Sequence, residues 1–230
     1  RQPRSTLFPY TTLFRSNDVR VWDLQARRLV ARLPLERAQR GIIAAFSADS
    51  RTLAVADLGQ LRFYRAPDWN QPVPGATVSN RFQALAYTAD GRRLVGLAGN
   101  PPYQVVVMDA QDARAITAWP TVRGRSLVLS PDARLAAVQC RSEPESVVHE
   151  LDTGTTVARL PGPGGFFRQG NLRFSPDGRL LASVVNSGSD ALEKSVDFWS
   201  VPDFKLTRRL QTAGRAFTGV DFSPDSRRAF

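Results

Sequence analysis

Short apolar stretches alternate with polar turn clusters from one end of this 230-residue chain to the other, and none carries a long helical period. Residues 171–210 show the pattern most clearly. Asn171–Ser175 reads as a short apolar strand. Pro176-Asp177-Gly178 reads as a turn: Pro fixes φ, Asp can accept from nearby backbone N–H groups, and Gly tolerates positive φ. Arg179–Val185 is a second strand of small and β-branched residues, and Asn186–Asp190 is a polar loop. Ser195–Trp199 alternates like a half-buried strand, and Leu206–Leu210 supplies a fourth. The first, inner strand is expected to be the most buried.

The same phrase is written five times. Phe46-Ser47-Ala48-Asp49-Ser50 returns as Tyr87-Thr88-Ala89-Asp90-Gly91, Leu129-Ser130-Pro131-Asp132-Ala133, Phe174-Ser175-Pro176-Asp177-Gly178 and Phe222-Ser223-Pro224-Asp225-Ser226. Its aspartates step by 41, 42, 45 and 48 residues. A period in the forties built from short strands predicts a β-propeller of four-stranded antiparallel blades. Four complete blades are expected at about Gly41–Pro74, Arg81–Pro120, Arg123–Leu160 and Arg168–Leu210, with half-blades at Asn17–Leu33 and Phe217–Phe230. The turn aspartates Asp49, Asp90, Asp132, Asp177 and Asp225 are expected to be structural, and a full blade between them argues against a shared metal.

A second column repeats in the third strands: Trp22, Tyr64, Met108, His149 and Trp199, each followed by Asp23, Arg65, Asp109, Glu150 or Ser200. With Val21-Trp22-Asp23-Leu24 and the Phe-Ser-Pro-Asp-Gly turn, the chain from Asn17 to Phe230 resembles the WD40 repeat family. The resemblance implies a platform that docks a protein or peptide. The chain departs from the family in lacking its Gly-His pairs, because His149 is the only histidine, so the family's buried Asp-His-Ser/Thr-Trp network is not expected. TolB-like and lactonase-type propellers, and the propeller lids of serine peptidases, carry similar turns, which leaves an enzyme-associated propeller as the alternative.

The two ends are set apart. Thr6–Ser16 resembles the translation of a common sequencing adapter, so residues 1–16 are excluded from the expected fold as a non-native segment. The propeller is then expected to be partial, entered in mid-blade near Asn17 and left within a second strand at Arg227–Phe230.

The formal net charge of +10 comes almost wholly from arginine, since only Lys194 and Lys205 are lysines. The arginines are scattered, with no basic run or recognition helix, which fits a compositional bias and argues against a nucleic-acid partner. One column is sharper. Arg40, Arg81, Arg123 and Arg168 each stand six residues before the first position of the repeated phrase, and Ala216 takes that place in the fifth unit. In a propeller this is the rim of the central funnel. Guanidinium groups there would offer bidentate bonds to an acidic partner; alternatively, repeats copied from one ancestor share a solvated arginine. No HExxH, G-x-S-x-G or Cys–His metal spacing appears, so no catalytic residue, metal or cofactor is expected. His149 reads as a packed or edge imidazole, Cys140 as a buried strand-end thiol, and Gly162-Pro163-Gly164-Gly165 as a blade connection. No apolar run approaches the length of a membrane span.

Overall fold

A computed structural model of the chain is all-β. It describes residues 10–15, 18–34, 42–57, 59–69, 71–73, 78–140, 145–161, 172–186, 194–212, 217 and 219–230, and no helix occurs among them. The first sheet has three strands in the order β1 (Tyr10–Arg15), β2 (Asp18–Asp23), β3 (Arg28–Pro34). Four sheets of four strands follow. They are β4 (Ile43–Phe46), β5 (Thr52–Asp57), β6 (Gln60–Arg65) and β7 (Val78–Ser79); then β8 (Phe82–Tyr87), β9 (Arg93–Ala98), β10 (Gln104–Asp109) and β11 (Ala115–Pro120). Next come β12 (Gly124–Leu129), β13 (Leu135–Cys140), β14 (Glu145–Glu150) and β15 (Thr156–Pro161), and last β16 (Leu172–Phe174), β17 (Leu180–Asn186), β18 (Lys194–Ser200) and β19 (Leu206–Thr212). Each is an antiparallel meander in which sequence neighbours are sheet neighbours. These are the four-stranded blades of a β-propeller fold. The chain divides into two compact units, residues 1–100 with 106–117 and residues 101–105 with 118–230.

Three expectations change. The fourth strand of the first complete blade, β7, lies at Val78–Ser79, beyond the expected boundary at Pro74. The most buried strands are the second ones: in β5, β9 and β13 every residue after the first is buried, whereas β4 is only half-buried. A second strand has a sheet neighbour on each side, and the first has one. Finally, Tyr10–Arg15, within the excluded segment, pairs with β2 along its whole length, from Tyr10 opposite Asp23 to Arg15 opposite Asp18. A Thr- and aromatic-rich alternating sequence suits a strand, and β2 would otherwise present an unpaired edge. Pairing and origin are separate matters, and the pairing does not bear on the resemblance to an adapter.

The repeated phrase folds in the same way five times. The hydroxyl of Ser47, Thr88, Ser130, Ser175 or Ser223 donates to Oδ1 of the aspartate two residues on, at 2.5–2.6 Å. That Oδ1 also accepts the backbone N–H of Arg51, Arg92, Arg134, Arg179 or Arg227 at 3.0–3.1 Å. The hydroxyl oxygen in turn accepts the N–H that opens the second strand, from Thr52, Arg93, Leu135, Leu180 or Arg228, at 2.9–3.1 Å. The residue after each aspartate takes positive φ: Ser50 at 58°, Gly91 at 69°, Ala133 at 56°, Gly178 at 72° and Ser226 at 59°. Gly178 bears this without a Cβ, which is why the phrase tends toward glycine here.

These bonds hold every turn carboxyl below the usual range. At Asp49, Asp90 and Asp225 the hydroxyl bond is the largest cause, followed by the backbone N–H. At Asp132 and Asp177 desolvation is the largest single effect and pushes upward, but hydroxyl, N–H and arginine together outweigh it. A depressed carboxyl stabilises the fold above its unfolded pKa and loses that contribution as pH falls through the folded value.

A second turn, between third and fourth strands, also repeats. Arg27, Ala113, Gly154 and Phe204 take positive φ there, and the N–H groups of Ala113, Gly154 and Phe204 donate to the carbonyls of Asp109, Glu150 and Ser200. In the last complete blade Asp197 is fully buried, accepts from Ser195 Oγ at 3.1 Å, and is clasped by Arg209 through Nε–Oδ1 and Nη2–Oδ2 bonds of 2.8 Å each. Such a pair is strongly destabilising to break, because one partner would be left charged and buried.

Asp177→Ala should lower stability by about 1–2 kcal/mol, since a hydroxyl and an N–H lose their acceptor. Arg179→Ala, at an exposed strand start, should cost well under about 1 kcal/mol. Urea melts of the two variants compare them directly, and equal small effects would mean that Asp177 is merely solvated.

Candidate functional site

Two of the four column arginines lie in the described residues. Arg81 directly precedes β8 and Arg123 directly precedes β12, both with exposed side chains. The Arg81 carbonyl accepts the Gly99 N–H at 2.7 Å, so its backbone is fixed while its guanidinium is left to solvent. Arg81 belongs to the first compact unit and Arg123 to the second. Arg40 and Arg168 lie outside the described residues, as does the Gly162–Gly165 connection.

The first unit contains a cleft of about 640 Å³ between the turns of two consecutive blades. Asp49 stands on one side and Asp90 on the other, with Arg65, Tyr87 and Gln111 completing the wall. Each carboxylate commits Oδ1 to its own turn. Arg65 Nη2 donates to the Gln111 carbonyl at 3.0 Å. The Tyr87 hydroxyl is buried with no hydrogen-bond partner among the described residues, and burial raises its pKa. The cleft therefore carries two carboxylates and one guanidinium on its wall, while the Tyr87 hydroxyl itself is buried. Sequence reasoning named the aspartates but missed Arg65 and Tyr87 as site residues, because three separate segments bring them together and only the repeat phase links them. Among the described residues no group of three His, Cys, Asp or Glu side chains is placed to hold a metal ion.

His149 is buried in the second unit. Its Nδ1 lies 3.1 Å from the Gly154 carbonyl and its Nε2 lies 3.0 Å from Thr121 Oγ1. The carbonyl can only accept, so Nδ1 carries the proton and Nε2 accepts from the threonine. The Trp119 ring lies 6.5 Å away, and a Cβ on Gly154 would strike it. Desolvation lowers the histidine's pKa most; the Gly154 bond opposes this and Arg159 adds to it. The imidazole is a packed, neutral group, as its sequence position suggested. Trp199 Nε1 donates to the buried Ser183 Oγ at 3.1 Å. Cys140 is buried.

No family model matches the sequence, and no curated protein does. Solved structures match in number: 1393 chains do so, which makes the fold too widely shared to indicate a function by itself. One is Kuenenia stuttgartiensis hydrazine synthase, with a TM-score of 0.68 and 22% sequence identity over 81% of this chain and 54% of that one. The chain thus spans about half the length of the solved chain it matches. At this identity the likeness shows the fold alone. No helix among the described residues is long and apolar enough to cross a membrane.

A histidine whose folded pKa is depressed stabilises the fold above its unfolded value, near 6.5, and loses that contribution as pH falls below it. The turn carboxylates stay ionised in that range. The stability gap between the native chain and His149→Gln should therefore narrow as pH falls from about 7.5 to about 5. A gap that stays constant across chemical melts in this range would show that His149 is not held neutral.

Proposed function

We propose that this chain is a non-catalytic, WD40-like module of a larger bacterial signalling protein, and that it binds an acidic protein or peptide through the arginines that precede its first strands. The observation that carries this reading is the exposure of Arg81 and Arg123, each anchored by a strand entry and each free to offer a planar donor fork to a carboxylate. A second reading, an enzyme-associated propeller, is favoured by one observation: a solved neighbour of this fold is a synthase chain. A cleft such as that around Asp49 and Tyr87 suits either reading.

Replacing Arg40, Arg81, Arg123 and Arg168 by Gln should weaken binding of a polyglutamate peptide and flatten its salt dependence. A control set of the same charge, Arg28, Arg92, Arg114 and Arg179, is exposed but lies outside the column. Titration at low and physiological salt should find the column variant at least about tenfold weaker than the control. Equal losses in both sets would leave only bulk charge and end the binding-column reading.

A further inference from the structure

Two junctions between consecutive blades carry the same set of positions, and each lies within one compact unit. The first joins the blade of β12–β15 to the blade of β16–β19. There Pro131, in the turn of one blade, reaches the turn of the next: its Cδ lies 3.7 Å from where a Cβ on Gly178 would stand. Val201, whose N–H donates to the Arg179 carbonyl, packs on the cluster of Leu160 and Trp199. The second junction joins the blade of β4–β7 to the blade of β8–β11. Ala48 takes the place of Pro131 there, and Ala110, whose N–H donates to the Arg92 carbonyl, takes the place of Val201. Gly91 is the counterpart of Gly178, and a Cβ built on it would meet nothing within 4 Å. Ala48, Gly91 and Ala110 all line the cleft of about 640 Å³, which thus opens where two side chains of the repeat are cut short.

The charge on the wall departs from the repeat as well. Arg65 follows the bulky third-strand residue, a place that Asp23, Asp109 and Glu150 hold in three other blades. Its Nη2 donates to the Gln111 carbonyl across the junction, and it forms no ion pair among the described residues. Asp49 and Asp90 line the cleft from the two turns. In each, Oδ1 accepts a hydroxyl and a backbone N–H, while Oδ2 accepts no hydrogen bond among the described residues. The turn bonds hold both carboxyls below the usual range, so both are ionised at neutral pH. Arg65 and Asp49 lie close enough to Tyr87 for both charges to act on its hydroxyl, which brings the cation and one anion around a single side chain of the wall.

We propose that this cleft binds a small basic amino acid of the lysine type, with two ammonium groups and one carboxylate. That set of charges is the complement of the walls, which hold two carboxylates and one guanidinium. Each aspartate leaves a single oxygen outside its turn. A single oxygen suits the compact point charge of an ammonium better than the planar fork of a guanidinium, which bonds best to two. Arg65 keeps further N–H donors beside the one given to Gln111, and its own fork matches the ligand's carboxylate. The three charges are exposed, so binding is salt-sensitive. The site shares no residue with the arginine column of the proposed docking function and goes beyond that reading.

The test is calorimetric titration of the full chain with L-lysine and with three analogues that each lack one charge. Cadaverine has no carboxylate, ε-aminocaproate no α-ammonium and norleucine no side-chain ammonium. Saturable binding of lysine is expected, at least about tenfold tighter than that of any analogue at low salt. Arg65→Gln should weaken lysine and strengthen cadaverine, so that the preference between them disappears. Asp49→Asn and Asp90→Asn keep an acceptor for the turn, and each should weaken lysine at least about fivefold. Ala48→Pro restores the residue that Pro131, Pro176 and Pro224 supply in other turns, so the thermal midpoint should hold while binding is lost. Ala110→Val, which restores the bulk of Val201, should weaken binding in the same way. No saturable heat with lysine at millimolar concentration overturns the proposal, as does an affinity indifferent to Arg65→Gln and to both filling variants. Cadaverine bound as tightly as lysine by the native chain would mark a plain pair of anions and overturns it equally.

Discussion

A blade of four strands is apolar on both faces, and one bulky third-strand side chain per blade joins the apolar cluster that packs it against its predecessor. The third-strand residue joins the same apolar cluster as the fourth-strand residue of the blade before at Tyr64 with Leu33, Met108 with Val78 and Trp199 with Leu160, and His149 makes a ring contact with Trp119. Bulk is kept along this column while chemistry varies from indole to thioether to imidazole. Packing volume is therefore what the position demands. His149 is the instructive case. It keeps the shape of the column but adds two ring nitrogens that burial must satisfy, and Thr121 and Gly154 do so.

The turns serve this stacking. A blade packs well only if its second strand leaves the first at a fixed angle and register. The hydroxyl–carboxylate–amide arrangement sets both with one serine or threonine and one aspartate. The same geometry places an aspartate at the mouth of the gap between blades, with its second oxygen left out of the turn. The cleft of Asp49, Asp90, Arg65 and Tyr87 is thus a by-product of the repeat, given particular chemistry by two residues that vary from blade to blade.

The fold was legible because its signals are local. A turn phrase with its period and the alternation of Ser195–Trp199 each rest on neighbouring residues, and the strands fall where they point. Two things were not legible for physical reasons. The positive φ at Arg27, Ala113 and Phe204 falls on residues that do not advertise it, since Gly154 alone in that column is glycine. The greater burial of the second strands depends on which strand has neighbours on both sides, a property of the assembled sheet. Site residues fared less well. The aspartates could be named from the phrase, but Arg65 and Tyr87 join them only through tertiary placement. Of the arginine column, the structure describes exposed side chains at Arg81 and Arg123.

The stacking account makes unequal demands on two leucines that hold equivalent positions. Leu160 is buried in one cluster with Trp199, whereas Leu210 is 38% exposed and belongs to no such cluster among the described residues. The most direct measurement is the unfolding free energy of Leu160→Ala and Leu210→Ala, side by side in urea. The account predicts a loss of about 2–5 kcal/mol for the first, as for a buried leucine, and under about 1 kcal/mol for the second. Equal losses would contradict it, because the third-strand column would then not be what buries the fourth strand.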